Sequence, residues 1–140
     1  MLNAEVLIAS HKKDRSLEIL LENMGYLSTT ISSGDAVLQY LRDHTPKLMI
    51  LDADLPIVSG TSVAYRAKKH SRLKAIPSIV LVDVHDERLR AQAAMSRADR
   101  VMLTPVASIG IKETVSDLLA AQSVTPIWDA LLIDTLPAAA

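Results

Sequence analysis

Leu48-Met49-Ile50-Leu51 is an unbroken apolar run closed by one acid, Asp52, and followed by Ala53-Asp54-Leu55-Pro56 and then Gly60. A run this short, bounded by turn residues, reads as a strand buried within a sheet. Such a strand delivers one carboxylate to the mouth of the sheet, with a proline-and-glycine turn just beyond it. A strand of this kind folds only with other elements packed around it, so the flanking segments decide the architecture.

Those segments alternate between two patterns. Val6-Leu7-Ile8-Ala9 predicts a first buried strand. Asp14 is the expected N-cap of a helix carrying Leu17, Leu20, Leu21 and Met24 at helical spacing, and Gly25 ends it. Leu27-Ser28-Thr29-Thr30-Ile31 is a half-polar strand suited to a sheet edge. Ser33-Gly34-Asp35 opens a second helix with Val37, Leu38 and Leu41, and Pro46 is the stop ahead of the central strand. Val63, Ala64 and Ala67 mark a third helix whose basic end, from Arg66 to Lys74, is expected to be a solvated helix end balanced by acids elsewhere. Pro77 introduces a fourth strand over 78–82, a charged helix spans about 86–96, and a fifth strand covers 100–103. A last helix carries Ile111, Val115, Leu118 and Leu119. Five strands alternating with five helices imply right-handed crossovers and an α/β fold: a doubly wound five-stranded parallel sheet with helices on both faces. The order 2-1-3-4-5 is expected, with a switch point between the first and third strands. Ser10, His11 and Asp52 fall at that point.

Composition narrows the function. The 140 residues suit one domain, and 49% hydrophobic against 22% charged is too apolar for disorder. A net charge of −1 offers no basic field for nucleic acid, and 3% aromatics with no Phe leave little to stack on bases. Without cysteine there is no disulfide framework and no thiolate site, which is compatible with the cytoplasm. The apolar runs are too short for a membrane span, and Met1-Leu2-Asn3-Ala4-Glu5 is not a signal peptide. No phosphate-cradling glycine loop, nucleophile elbow or zinc-type spacing is present, so the chain is read as not an enzyme.

Several short matches now fall in one order: Gly25-Tyr26, Ser33-Gly34-Asp35-Ala36, Leu51-Asp52 with Leu55-Pro56 and Gly60, Ile76-Pro77, and Ala98-Asp99 with Pro105. Across residues 4–122 this ordered set resembles the receiver domains of bacterial response regulators. The resemblance implies the flavodoxin-like fold, a receiver-like domain over 1–122, and 123–140 as a C-terminal helical extension or linker. It also makes Asp52 the phosphoacceptor position. Receivers usually end the first strand with an acidic pair that holds a divalent cation; here those positions are Ser10 and His11. The hydroxyl residue that ends the fourth strand is Val82, the aromatic switch residue is Val101, and the lysine before the proline (Pro105) is Thr104.

These departures bear on chemistry. Transfer of a phosphoryl group to a carboxylate is mostly positioning plus cation stabilisation. Magnesium wants oxygen ligands, commonly one or two carboxylates. Asp52 remains and Asp54 can lend its backbone carbonyl, but Ser10 and His11 add no anionic oxygen. Each stabilising donor lost typically costs ~10²–10³ in rate. Asp52 is therefore expected to be weak or inactive as an acceptor, and magnesium binding weak or absent, with no other cofactor. Lys12 or Lys13 can substitute for the missing cation, against the simpler reading of solvated loop charges. His11 with Asp52 and Asp54 suits a transition metal on paper, but a lone loop histidine is usually only solvated.

The favoured reading is a phosphorylation-independent receiver that works as a protein-interaction module in signal transduction. Its expected partner is a signalling protein, a histidine kinase or a downstream effector, with a homodimer left open and neither nucleic acid nor membrane implied. Two alternatives stand beside it: a phosphoacceptor at Asp52 with non-standard pocket residues, and a small-molecule sensor using a mouth lined by Ser10, Asp52, Val82 and Thr104. In the tail, Thr125-Pro126 is a helix start that places Trp128, Leu131 and Leu132 on one face.

Overall fold

The computed structural model describes residues 5–105 and 109–120. Its elements run β1 (Glu5–Ala9), α1 (Ser16–Asn23), β2 (Leu27–Ile31), α2 (Gly34–Tyr40), β3 (Leu48–Asp52), α3 (Gly60–Lys68), β4 (Ser78–Asp83), α4 (Glu87–Ala94) and β5 (Arg100–Thr104). A further helix, α5, covers residues 109–120. All strand pairs are parallel, in the order β2-β1-β3-β4-β5. The expected doubly wound sheet is thus the one observed. Among the described residues no helix is long and apolar enough to cross a membrane. Thr125-Pro126 and Trp128 lie outside the described residues, as does the rest of the expected extension.

Burial explains the strand order. Every residue of β3 is buried, as its continuous apolar run requires of the central strand, while β2 and β5 are exposed or half-buried along their length. Because side chains alternate across a strand, each strand feeds two cores. Leu7, Met49, Leu51, Val80 and Val82 pack under α2, α3 and α4 with Val37, Val63, Ala67, Leu89 and Ala93. Val6, Ile8, Leu48, Ile50 and Ile79 pack on the other face with Leu21 of α1 and Ile111, Val115 and Leu119 of α5.

Several local expectations shift. Arg15 rather than Asp14 holds the N-cap position of α1, without a side-chain cap; Asp14 instead accepts from the Ser16 N–H at 2.9 Å and its hydroxyl at 3.1 Å. Gly25 does end α1, with φ 90°. The fourth and fifth strands each run one residue further than expected, to Asp83 and Thr104. Asp86 caps α4, accepting from the Leu89 N–H at 3.0 Å, and the helix ends at Ala94, short of Ser96.

The basic run is not simply a solvated helix end. Lys68 forms a 2.8 Å ion pair with Asp99 and donates to the carbonyls of Lys74 and Ile76 at 3.3 Å each. Asp99 also accepts the Ser78 N–H at 2.8 Å, so this pair ties α3 to the start of β4 and β5. Arg72 donates to the carbonyls of Leu41, Arg42 and His44 and to the Thr45 hydroxyl, closing the open end of α2. Lys68→Met is accordingly expected to lower unfolding free energy by about 2 kcal/mol, since it strands charge-assisted bonds in a half-buried place. Urea denaturation checks this; an unchanged midpoint would return Lys68 to the solvated surface.

Candidate functional site

Asp52 sits at the carboxyl end of β3, opposite Leu81 of β4. The chain turns sharply after it: the Ala53 N–H donates to the Leu81 carbonyl at 2.8 Å, and the Gly60 N–H to the Ala53 carbonyl at 3.0 Å. This folds the start of α3 against the strand and leaves the Asp52 carboxylate facing the space above the sheet. Only 7% of Asp52 is exposed, and its Oδ2 is buried without a hydrogen-bond donor among the described residues.

Burial holds the Asp52 carboxyl above its ordinary range. The Ser10 hydroxyl, the Lys12 ammonium and His11 pull the other way, in that order, and Asp54 adds to the upward push. Ser10 is pinned just past β1, where its N–H donates to the Ile31 carbonyl at 2.9 Å. Its Oγ accepts the Lys12 N–H at 3.1 Å, a turn that sends Lys12 over the sheet. The carboxyl ends of β3, β4 and β5 and the start of α4 surround a cleft of about 600 Å³. Lys12, Asp52, Asp54, Asp83, His85, Asp86, Glu87 and Thr104 line it, with Leu81 and Leu89 as its apolar wall.

The expected site residues divide accordingly. Asp52, Asp54, Lys12 and Thr104 come together at the cleft, and Ser10 lies beside Asp52. Lys13 and His11 are exposed on the β1–α1 loop and do not line the cleft, although His11 is near enough to act on Asp52 electrostatically. Val82 does not line it: at 2% exposure it belongs to the core beneath α4, on the face of β4 opposite Leu81 and Asp83. A sensing mouth that includes Val82 is corrected on this point, because side chains alternate along the strand. Val101 lies on the edge strand, 41% exposed, and Pro105 is exposed after a cis Thr104–Pro105 peptide.

Sequence reasoning missed Asp83 and His85. Asp83 carried the same signature as Asp52, an acid directly after the apolar run of a buried strand. Its Oδ1 accepts the His85 N–H at 2.7 Å, which sets the turn into α4. Among the described residues no three His, Asp or Glu side chains converge closely enough to hold a metal ion.

The raised carboxyl has a consequence for stability. Above about pH 3.8, the ordinary Asp value, the unfolded chain releases the Asp52 proton before the native protein does. Stability therefore falls as pH rises from there through the native pKa, and the loss persists at neutral pH. Asp52→Asn is expected to raise unfolding free energy at pH 7 by about 1 kcal/mol, with the gain vanishing near pH 3. Thermal melts of both proteins across that range check the sign; a gain that persisted at pH 3 would assign the effect to packing.

The family model of the response regulator receiver domain matches residues 10–116 of this chain. Over 95 residues the chain is 33% identical to the probable methanogenesis regulatory protein FilR2 of Methanothrix harundinacea, covering 63% of this chain and 61% of that protein. It is 28% identical over 116 residues to the phosphate regulon transcriptional regulatory protein PhoB of Rhizobium meliloti, covering 80% and 51%. The chain thus spans about half to three-fifths of the length of these relatives. The signal receiver domain of a signal transduction histidine kinase from Syntrophus aciditrophicus superposes with a TM-score of 0.80 at 25% identity, over 84% of this chain and 91% of that one. Receivers are signalling modules of two-component systems rather than typical enzymes. The sheet order, the acid closing its central strand and the match over most of the length agree: this chain belongs to the response regulator receiver domain family.

Proposed function

We propose that this receiver acts in the cytoplasm as a phosphorylation-independent interaction module, recognised by a signalling partner through its folded surface. The observation that carries the reading is the state of Asp52: a desolvated carboxylate whose Oδ2 has no donor among the described residues, with Ser10, His11 and Lys12 rather than acids on the neighbouring β1–α1 loop. A magnesium ion does not fit this donor set. Ser10 and His11 offer neutral groups, and Asp54, Asp83, Asp86 and Glu87 do not converge with Asp52 on one point. Thr104 has no charge to hold phosphoryl oxygens, and Val82 turns its methyl groups into the core.

The test is treatment with acetyl phosphate and magnesium, or with beryllofluoride as a phosphoryl mimic. The protein's mass, spectra and oligomeric state are expected to stay unchanged, and millimolar magnesium alone is expected to leave the melting temperature where it was. A stoichiometric phosphate on the wild type, lost together with activity in Asp52→Asn, would overturn the reading in favour of a working phosphoacceptor.

A further inference from the structure

The carboxylates at the mouth of the sheet outnumber what this function uses. Asp52, Asp54, Asp83, Asp86 and Glu87 line one cleft against a single lysine, Lys12. Acids alone do not make a site, but Asp52 is different in kind from the rest. It is 7% exposed, it lines the cleft, and its Oδ2 has no donor among the described residues. A buried acceptor in that condition stays costly until a donor reaches it.

From this geometry we infer that the cleft binds an organic cation, a guanidinium or alkylammonium group, with Asp52 at its floor and Asp83 at its rim. Asp52 is in register with Leu81, so Asp83, two residues on, projects from the same face of the sheet. That offset is roughly 7 Å along the strand. These two carboxylates belong to no group of three His, Asp or Glu side chains close enough to hold a metal ion among the described residues. They match a planar guanidinium, whose charge is spread and whose donors are several, or an amine carrying two charges. A volume of about 600 Å³ admits such a group with its alkyl stem, and Leu81 and Leu89 supply an apolar wall for the stem. Lys12 is exposed and unbranched, so the entering cation displaces it to solvent.

This inference rests on the phosphorylation-independent reading, because it assigns Asp52 to a cation rather than to a phosphoryl group. Agmatine is the probe, titrated into the full chain while backbone amide resonances are followed. Saturable shifts centred on Asp52, Leu81, Asp83 and Thr104 are expected. Asp83→Asn, which keeps an Oδ1 acceptor for the His85 N–H, is expected to weaken binding about tenfold, and Lys12→Gln to tighten it about threefold. Acetyl-Gly-Arg-Gly-amide serves as a second probe. Matching shifts with the peptide identify a partner's arginine as the source of the cation, and shifts with agmatine alone identify a free small amine. Absence of saturation with both probes, or equal affinity in wild type and Asp83→Asn, overturns the inference. If acetyl phosphate still leaves the protein unmodified in that case, the reading beneath it stands; incorporated phosphate would overturn that reading instead.

Discussion

Gly60→Ala is expected to lower the unfolding free energy by about 3 kcal/mol or more. A Cβ at position 60 would lie 1.9 Å from the Asp52 carbonyl oxygen and 2.7 Å from its carbon. Neither neighbour can give way cheaply. Asp52 ends the fully buried central strand, and the next residue is tied on both sides, by its N–H to Leu81 and by its carbonyl to the Gly60 N–H. The start of α3 would have to lift off β3, opening the core that Val63, Ala64 and Ala67 fill. Urea titration followed by circular dichroism measures the loss. A variant within about 1 kcal/mol of wild type, the low end for overpacking, would mean that α3 slides without strain. The same construction at Gly34 meets the Val58 carbonyl oxygen at 1.8 Å, so both helix starts that flank the turn after Asp52 depend on a missing side chain.

The second large effect is a gain. In Ser10→Asp/His11→Asp/Thr104→Lys, acetyl phosphate with magnesium is expected to phosphorylate Asp52 at a rate raised by ~10⁴ or more, taking ~10²–10³ for each stabilising contact restored. The two new acids would sit at the end of β1, next to β3, and supply anionic oxygens for magnesium beside Asp52. The new lysine would replace Thr104, which already lines the cleft, and reach the phosphoryl oxygens across it. The three positions are on loops or at strand ends rather than in either core, so the fold should tolerate them. Intact-mass measurement of the phosphorylated species over time reads the result, with the added Asp52→Asn change as the control. A triple variant as inert as wild type would show that the barrier lies in groups left unchanged, such as Lys12 in the cleft or Val82 turned into the core.

Much of the architecture was legible from residue order. Short apolar runs bounded by Gly, Pro and capping residues mark strands because a strand buried on both faces cannot carry polar side chains. Helices between them force parallel pairing, since a parallel neighbour needs a crossover long enough to hold a helix. The half-polar Leu27–Ile31 segment could only be an edge, and it is one. Helix limits were less legible. Asp14 reads as a cap in sequence, yet its carboxylate bonds to Ser16 because the loop from β1 enters the helix one residue later.

By itself, then, the sequence determined the doubly wound sheet, the place of Asp52 at its mouth, and that Ser10 and His11 rather than acids follow the first strand. Each arises from local pattern, which burial and chain connectivity translate directly into position. Only the tertiary structure decided which lysine faces Asp52, that Val82 points away from it, and that Asp83 points with it. Those outcomes depend on strand register and on the path of one loop, and a one-residue change in either reverses a side chain's face. It also decided that Lys68 and Arg72 are bound to backbone carbonyls and to Asp99 rather than solvated. Their partners are 27 to 31 residues away or sit at the far end of a turn, so no local pattern records them.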